Sequence, residues 1–187
     1  MTQDFNSRFF VVTGGPGSGK TTLIEALAAA GHRVAPEAGR RIIKEQMAAD
    51  GNALPWADRG AFAEAMLAHD IRSYRGNCDA PGRVFFDRGI PDVIGYLTLV
   101  GLNVPTTMHE AALRYRYHRR VFIAPPWPEI FTQDDERKQT PDEAIRTYDA
   151  MMRVYPQYGY EPVELPRADL ATRVAFVQAF SGEACEI

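Results

Sequence analysis

The chain is poor in cysteine, in lysine and in long apolar runs, and each shortage narrows what it can be. Two cysteines, Cys78 and Cys185, are too few for a disulfide framework. No apolar stretch reaches the roughly 18 residues that would cross a bilayer, and no apolar leader stretch is visible. The expectation is a reduced, cytoplasmic, soluble protein. Neither sign of charge dominates: a net charge of −3 and a pI near 5.8 provide no global field for nucleic acid or an anionic membrane, so neither is expected as a partner. Repeats, low-complexity tracts and linkers are also missing, and 187 residues with 45% hydrophobic and 24% charged content suit one domain spanning 1–187. Lysine is scarce relative to arginine. Of 21 lysines and arginines only Lys20, Lys44 and Lys138 are lysines, so the position of each carries information.

Lys20 stands in Gly14-Gly15-Pro16-Gly17-Ser18-Gly19-Lys20-Thr21, which fits G-x-x-x-x-G-K-[ST], the phosphate-binding P-loop. Glycines at 14, 15, 17 and 19 let the backbone turn tightly and aim successive N–H groups at phosphate oxygens. The helix that follows adds its positive end. Lys20 then reaches the β- and γ-phosphates, the Thr21 hydroxyl is free to ligate Mg²⁺, and Thr22 completes the binding segment. The context fits: an apolar run at 8–13 precedes the loop, and Leu23, Ile24, Leu27 and Ala28 follow at helical spacing before Gly31.

Strand-like runs at 8–13, 33–37, 83–87, 120–124 and 160–165 alternate with helical segments, which predicts an α/β fold with a parallel sheet and helices on both faces. Pro162 lacks a backbone donor and places the last run at an edge. Thr140-Pro141-Asp142-Glu143 is a capping box that opens a helix with Ile145, Tyr148, Met152 and Tyr155 on its expected apolar face. Leu170, Val174 and Val177 stripe the terminal helix, capped by Asp169. The segment 38–76 reads as two helices broken near 51–55, shaping the side where a second substrate would sit. The proline-rich, then charged stretch 125–139 reads as a lid-like excursion.

Other chemistry-bearing residues cluster at the carboxyl ends of these runs, where parallel sheets bind ligands. Asp87 closes the third run and is placed to hold Mg²⁺ with Thr21, with Arg88 beside it to clamp an anion. The alternative is a strand-end pair satisfying its own surroundings. Glu37, at the end of the second run, is placed to take the proton of an attacking hydroxyl; the alternative is a helix-start acid favoured by the macrodipole. Arg137, in the charged excursion 134–138, is the arginine expected to close over a transferring phosphoryl group, unless that run is only solvated. Arg40, Arg41 and Arg59 are weaker candidates for an acceptor pocket, and Asp92 reads as a first-turn helix acid. The loop Leu165-Pro166-Arg167-Ala168 is expected to border a purine. His32, His69, His109 and His118 lack metal-ligand spacing and are expected to be structural.

Gly-Gly-Pro-Gly-Ser-Gly-Lys-Thr-Thr, Pro-Glu-Ala, Phe-Phe-Asp-Arg-Gly, Ala-Pro-Pro-Trp-Pro and Asp-Glu-Arg together resemble a small bacterial predicted-ATPase family with an AAA-type label. That family is similar to the nicotinamide riboside kinase module of the bifunctional NAD regulator. The resemblance covers about residues 8–180. It implies a three-layer αβα P-loop NTPase fold like that of nucleoside and nucleotide kinases, with a five-stranded parallel sheet of order 2-3-1-4-5. It also implies P-loop roles for Lys20 and Thr21, the acid–arginine pair for Asp87 and Arg88, the base for Glu37 and the lid for Arg137. The expected activity is transfer of a phosphoryl group from Mg·ATP to a nucleoside-like or other small metabolite. GTP is a possible donor, although no guanine-reading Asn-Lys-x-Asp is present. The alternative is a nucleotide-dependent regulatory or binding protein with slow hydrolysis. No second acid follows Asp87, which argues against a machine ATPase. Neither the acceptor nor the oligomeric state is readable.

Overall fold

Side chains alternate across the first strand, and the alternation sorts the core into two layers. The computed structural model describes residues 4–130 and 140–182. In β1 (Phe9–Gly14), Phe9 and Val11 pack into one apolar cluster while Phe10 and Val12 pack into another. A strand apolar at every position must be covered on both faces, and β1 is. It pairs in parallel with β3 (Val84–Asp87) on one side and β4 (Arg120–Ala124) on the other. β2 (Arg33–Ala35) lies outside β3, and β5 (Glu161–Glu164) outside β4, giving the order β2-β3-β1-β4-β5. The expected order and topology are therefore present. Pro162 sits on edge strand β5, opposite Val121, as its missing donor requires.

One face is covered by α1 (Lys20–Ala29) and α7 (Leu170–Gly182), which contribute Leu23, Leu27 and Val177. The other carries α3 (Arg59–Gly76), α4 (Ile90–Leu99), α5 (Thr106–Arg114) and α6 (Pro141–Gln157). α2 (Ala38–Ala48) packs through Ile42 against Phe62 of α3, and the break between these two helices falls near 51–55 as the sequence predicts. Beyond β4 a short 3₁₀ turn, Pro128–Ile130, is the described part of the expected excursion; 131–139 lie outside the described residues.

Two helix faces differ from expectation. In α6 the buried face is Ala144, Met151, Val154 and Tyr155, while Ile145 is 46% and Met152 37% exposed. Ile145 and Met152 are seven residues apart and so share a line, but that line lies one residue (about 100°) round from the core-facing one. In α7, Val177 is buried as expected, but Leu170, the first residue of the helix, is exposed, and Arg173 between them is buried.

The capping box forms as predicted: Glu143 N donates to Thr140 Oγ1 at 3.2 Å, and Thr140 N donates to Glu143 Oε2 at 2.7 Å. Thr140→Ala should cost about 1 kcal/mol and lower the thermal midpoint by about 2–4 °C, measured by calorimetry.

Candidate active site

The P-loop backbone is held by close neighbours on both sides. A Cβ on Gly15 would lie 2.3 Å from the carbonyl oxygen of Ala144 in α6, and one on Gly14, whose φ is +130°, would lie 2.4 Å from that of Ala124 in β4. Only glycine fits between these carbonyls. Within the loop, Ser18 Oγ donates to Gly15 O at 2.8 Å, and Lys20 Nζ donates to the same oxygen and, at 3.3 Å, to Ser18 Oγ. Lys20 is thus folded back onto its own loop. Burial, with Arg88 adding to it, lowers the Lys20 pKa to about 7 against the pull of Asp87 and Glu37.

Asp87 ends β3 beside the loop and is buried, and its Oδ1 has no hydrogen-bond partner among the described residues. Burial and then Glu37 push its pKa up to about 6, opposed by Lys20 and Arg88. Arg88 follows in the left-handed region, φ +73°, which few non-glycine residues adopt. Its Nη1 donates to Asp92 Oδ1 at 3.1 Å and its Nε to Glu37 Oε1 at 3.4 Å. Burial opposes the charge on Arg88, yet Glu37, Asp92 and Asp87 together hold its pKa above the ordinary value. Glu37 is the residue just before α2, at the helix start, and also faces Arg40 Nε at 3.9 Å.

Asp92 is in the first turn of α4, as expected, but its environment is not that of a solvated helix acid. It is 6% exposed, and its oxygens accept from the Thr13 hydroxyl, from Arg88, from Gly89 N at 2.9 Å and from Tyr155 Oη at 2.6 Å. The buried carboxylate is fully partnered.

Two cavities open at the carboxyl ends of the strands. The larger, about 520 Å³, is lined by the loop from Pro16 to Thr22 and by residues following the other strands, including Trp127, Asp169 and Arg173. The smaller, about 310 Å³, lies between α2, α3, α4 and α6 and is lined mainly by apolar side chains such as Phe62, Met66 and Met151. Pro16, Glu37 and Arg88 line both. The cavities therefore meet at the residues that sequence spacing singles out.

Of the sequence-predicted set, Gly14 to Thr22, Glu37, Asp87 and Arg88 come together, and Arg40 joins the larger cavity. Arg137 lies outside the described residues. Arg41 is exposed and paired with Glu45 at 2.7 Å, and Arg59 donates to Pro55 O, so neither lines a cavity. In the 165–168 loop Leu165 is buried in the core and Ala168 lines the larger cavity. Among the described residues no cluster of three or more His, Cys, Asp or Glu could hold a metal, and His32 and His118 pack on Phe85 and Phe10 as structural residues.

Two liners escape sequence reasoning. Arg173 of α7 is buried, donates from Nη1 to Ser18 O at 3.1 Å, and lies 5.8 Å over the Trp127 ring. Asp70 of α3 lines the smaller cavity. The only local signal for either is a charged residue within an otherwise apolar helical stripe.

A family model described as an AAA domain matches residues 9–173. No curated protein is significantly similar in sequence. Among solved structures, NadR in complex with NAD and AMP-PNP is similar at TM-score 0.67 and 17% identity, over 96% of this chain and 51% of that one. This chain thus spans about half the length of NadR. Deoxyadenosine kinase from M.mycoides gives 0.63 at 13% identity, over 93% and 98%. Thymidylate kinase from Ehrlichia chaffeensis gives 0.61 at 18% identity, over 95% and 100%. At these identities the likeness is one of fold, the P-loop kinase fold. Among the described residues no helix is long and apolar enough to cross a membrane.

Removing the Asp92 carboxylate strands Arg88 and three further donors in a buried site. Asp92→Ala should lose about 3–5 kcal/mol of stability, whereas Tyr155→Phe, which removes one neutral donor, should lose about 1 kcal/mol. Urea unfolding of the two variants measures the contrast.

Proposed function

The chain belongs to the AAA domain family, and as a member of it, we propose, it is a small-molecule kinase that transfers the γ-phosphoryl group of Mg·ATP to a hydroxyl of a nucleoside-like or similar metabolite. The observation that carries this reading is the meeting of two cavities at Glu37 and Arg88. A P-loop cavity alone would serve any nucleotide switch. A second, smaller and largely apolar cavity opening onto the same two side chains gives an acceptor a place beside the donor, as in-line transfer needs. Kinases among the solved structures of like fold, and the ATP analogue held by NadR, support the same reading.

In this proposal the triphosphate lies along the N–H groups of Gly15 to Thr22. Lys20 exchanges Gly15 O and Ser18 Oγ for phosphate oxygens, and a buried ammonium with a lowered pKa gains most from such a partner. The unpartnered Asp87 oxygen and the exposed Thr21 hydroxyl fit a Mg²⁺ site, and these two residues would hold the ion. Bound there, Mg²⁺ would supply neutralising charge to the β- and γ-oxygens. Glu37 orients the acceptor hydroxyl and takes its proton, and Arg88, already fixed by Asp92, offsets charge developing at the transferring group. Arg137, beyond the described residues, is assigned the closing role. The nucleoside end of the donor would lie by Trp127, Asp169 and Arg173.

Lys20→Ala should lower turnover about 10²-fold or more. Glu37→Gln should abolish transfer while ATP affinity stays within about twofold, since the lost group acts on the acceptor. Purified protein incubated with Mg·ATP and a pooled metabolite extract should yield a species heavier by one phosphoryl group, absent with Lys20→Ala. ATP hydrolysis with no phosphorylated product from any pool would overturn the kinase reading in favour of a regulatory NTPase, and full transfer by Glu37→Gln would overturn the assignment of Glu37 as the base.

A further inference from the structure

We infer that the smaller cavity selects an acceptor without negative charge, and that Asp70 on its wall is the specificity-determining residue, receiving a hydrogen-bond donor or a positive charge from the acceptor's ring. The inference rests on the kinase reading for the word acceptor, but its argument is about the cavity itself.

Among the described residues, three carboxylates line that cavity, Glu37, Asp70 and Asp92, against one cation, Arg88. Arg88 is already committed to Glu37 and Asp92. Arg59, nearby on α3, is outside the lining and donates to Pro55 O. A phosphate or carboxylate entering here would meet like charge in a poorly solvated space, and no lining cation among the described residues would be free to receive it. A neutral or cationic molecule meets no such barrier. The remaining wall is shaped for a flat ring: Phe62 and Tyr96 stand edge to face at 5.6 Å, with Met66, Val93 and Met151 around them. Flat apolar bodies pack well on such surfaces.

Asp70 is the acid without an assigned task. Glu37 and Asp92 are tied to Arg88, but among the described residues the partner recorded for Asp70 is its neighbour His69, at 3.6 Å. The Asp70 side chain is only 14% exposed, and burial raises its pKa. Buried carboxylates are normally satisfied by donors, and one left facing a cavity is suited to donors brought in by a ligand. The Tyr96 hydroxyl, on the same cavity, is buried and has no hydrogen-bond partner among the described residues. Ring amino or imino groups would meet both needs, and so would a fixed positive charge on the ring.

Calorimetric titration of the purified chain tests this with three probe types: neutral nucleosides, a nucleoside carrying a fixed positive charge on its ring, and the 5′-monophosphates of the same nucleosides. At least one unphosphorylated probe should bind about tenfold or more tighter than its monophosphate. Asp70→Asn should weaken that binding about tenfold, leave ATP affinity unchanged, and unfold no lower in temperature than the wild type, because it removes a charge that burial disfavours. Tyr96→Phe, a milder change, should weaken the same probe severalfold without affecting the fold. Preference for the monophosphates, no binding of any unphosphorylated probe at millimolar concentration, or unchanged affinity in both variants would overturn the inference. Tight binding of a nucleoside without phosphoryl transfer would support this inference and overturn the kinase reading. Preferential transfer to the monophosphates would do the reverse.

Discussion

Four donors converge on the Asp92 carboxylate, and the geometry of the site follows from that convergence. Oδ1 takes the Thr13 hydroxyl and Arg88, while Oδ2 takes Gly89 N and Tyr155 Oη. One side chain thereby ties the end of β1, the turn after β3, the first turn of α4 and the body of α6. Burial, reinforced by Asp92, pushes the Tyr155 hydroxyl well above its ordinary pKa, so it remains a donor. Arg88 needs this anchor. Its left-handed backbone carries strain of about 1–3 kcal/mol, which the charged hydrogen bonds to Asp92 and Glu37 offset. Glu37, in turn, is oriented by Arg88. The path from Thr13 to Glu37 is a chain of buried and half-buried, paired polar groups in which each member fixes the next.

Against that fixed frame, the loop side of the site is unsatisfied. Lys20 is held by neutral oxygens of its own loop while burial weakens its charge, and Asp87 keeps one oxygen without a partner among the described residues. Both groups are poised for partners of opposite sign. Arg173 reaches the same loop from the last helix and donates to Ser18 O, so that loop carbonyl already has a charged donor. The frame sets geometry; the loop retains its binding capacity.

What could be read from the sequence divides along physical lines. The P-loop was legible because its spacing is dictated by backbone conformation, which Gly14 and Gly15 express directly in their contacts with Ala124 and Ala144. The buried strands were legible because a strand covered on both faces is apolar throughout, as Phe9 to Val12 are. Glu37, Asp87 and Arg88 followed from the rule that strand ends face the ligand; their order in the sheet came from family likeness rather than from pattern. Arg173 and Asp70 were not legible. A residue 155 positions from its partner, as Arg173 is from Ser18, leaves no local trace, and a charged side chain in a helix looks solvated until its neighbours are known. Ile145 and Met152 failed for the opposite reason, since apolar residues at helical spacing need not lie on the line that meets the core, while Leu170 shares the line of Val177 but opens the helix at the larger cavity.

The chain has two tryptophans, and each lines a different cavity: Trp127 the larger and Trp56 the smaller. Indole emission responds to local polarity, so these two rings form a built-in pair of optical reporters. Substituting either by phenylalanine leaves the other as sole emitter, and stopped-flow traces from the two single-tryptophan proteins would time the filling of each cavity separately, revealing the order of arrival without any attached dye.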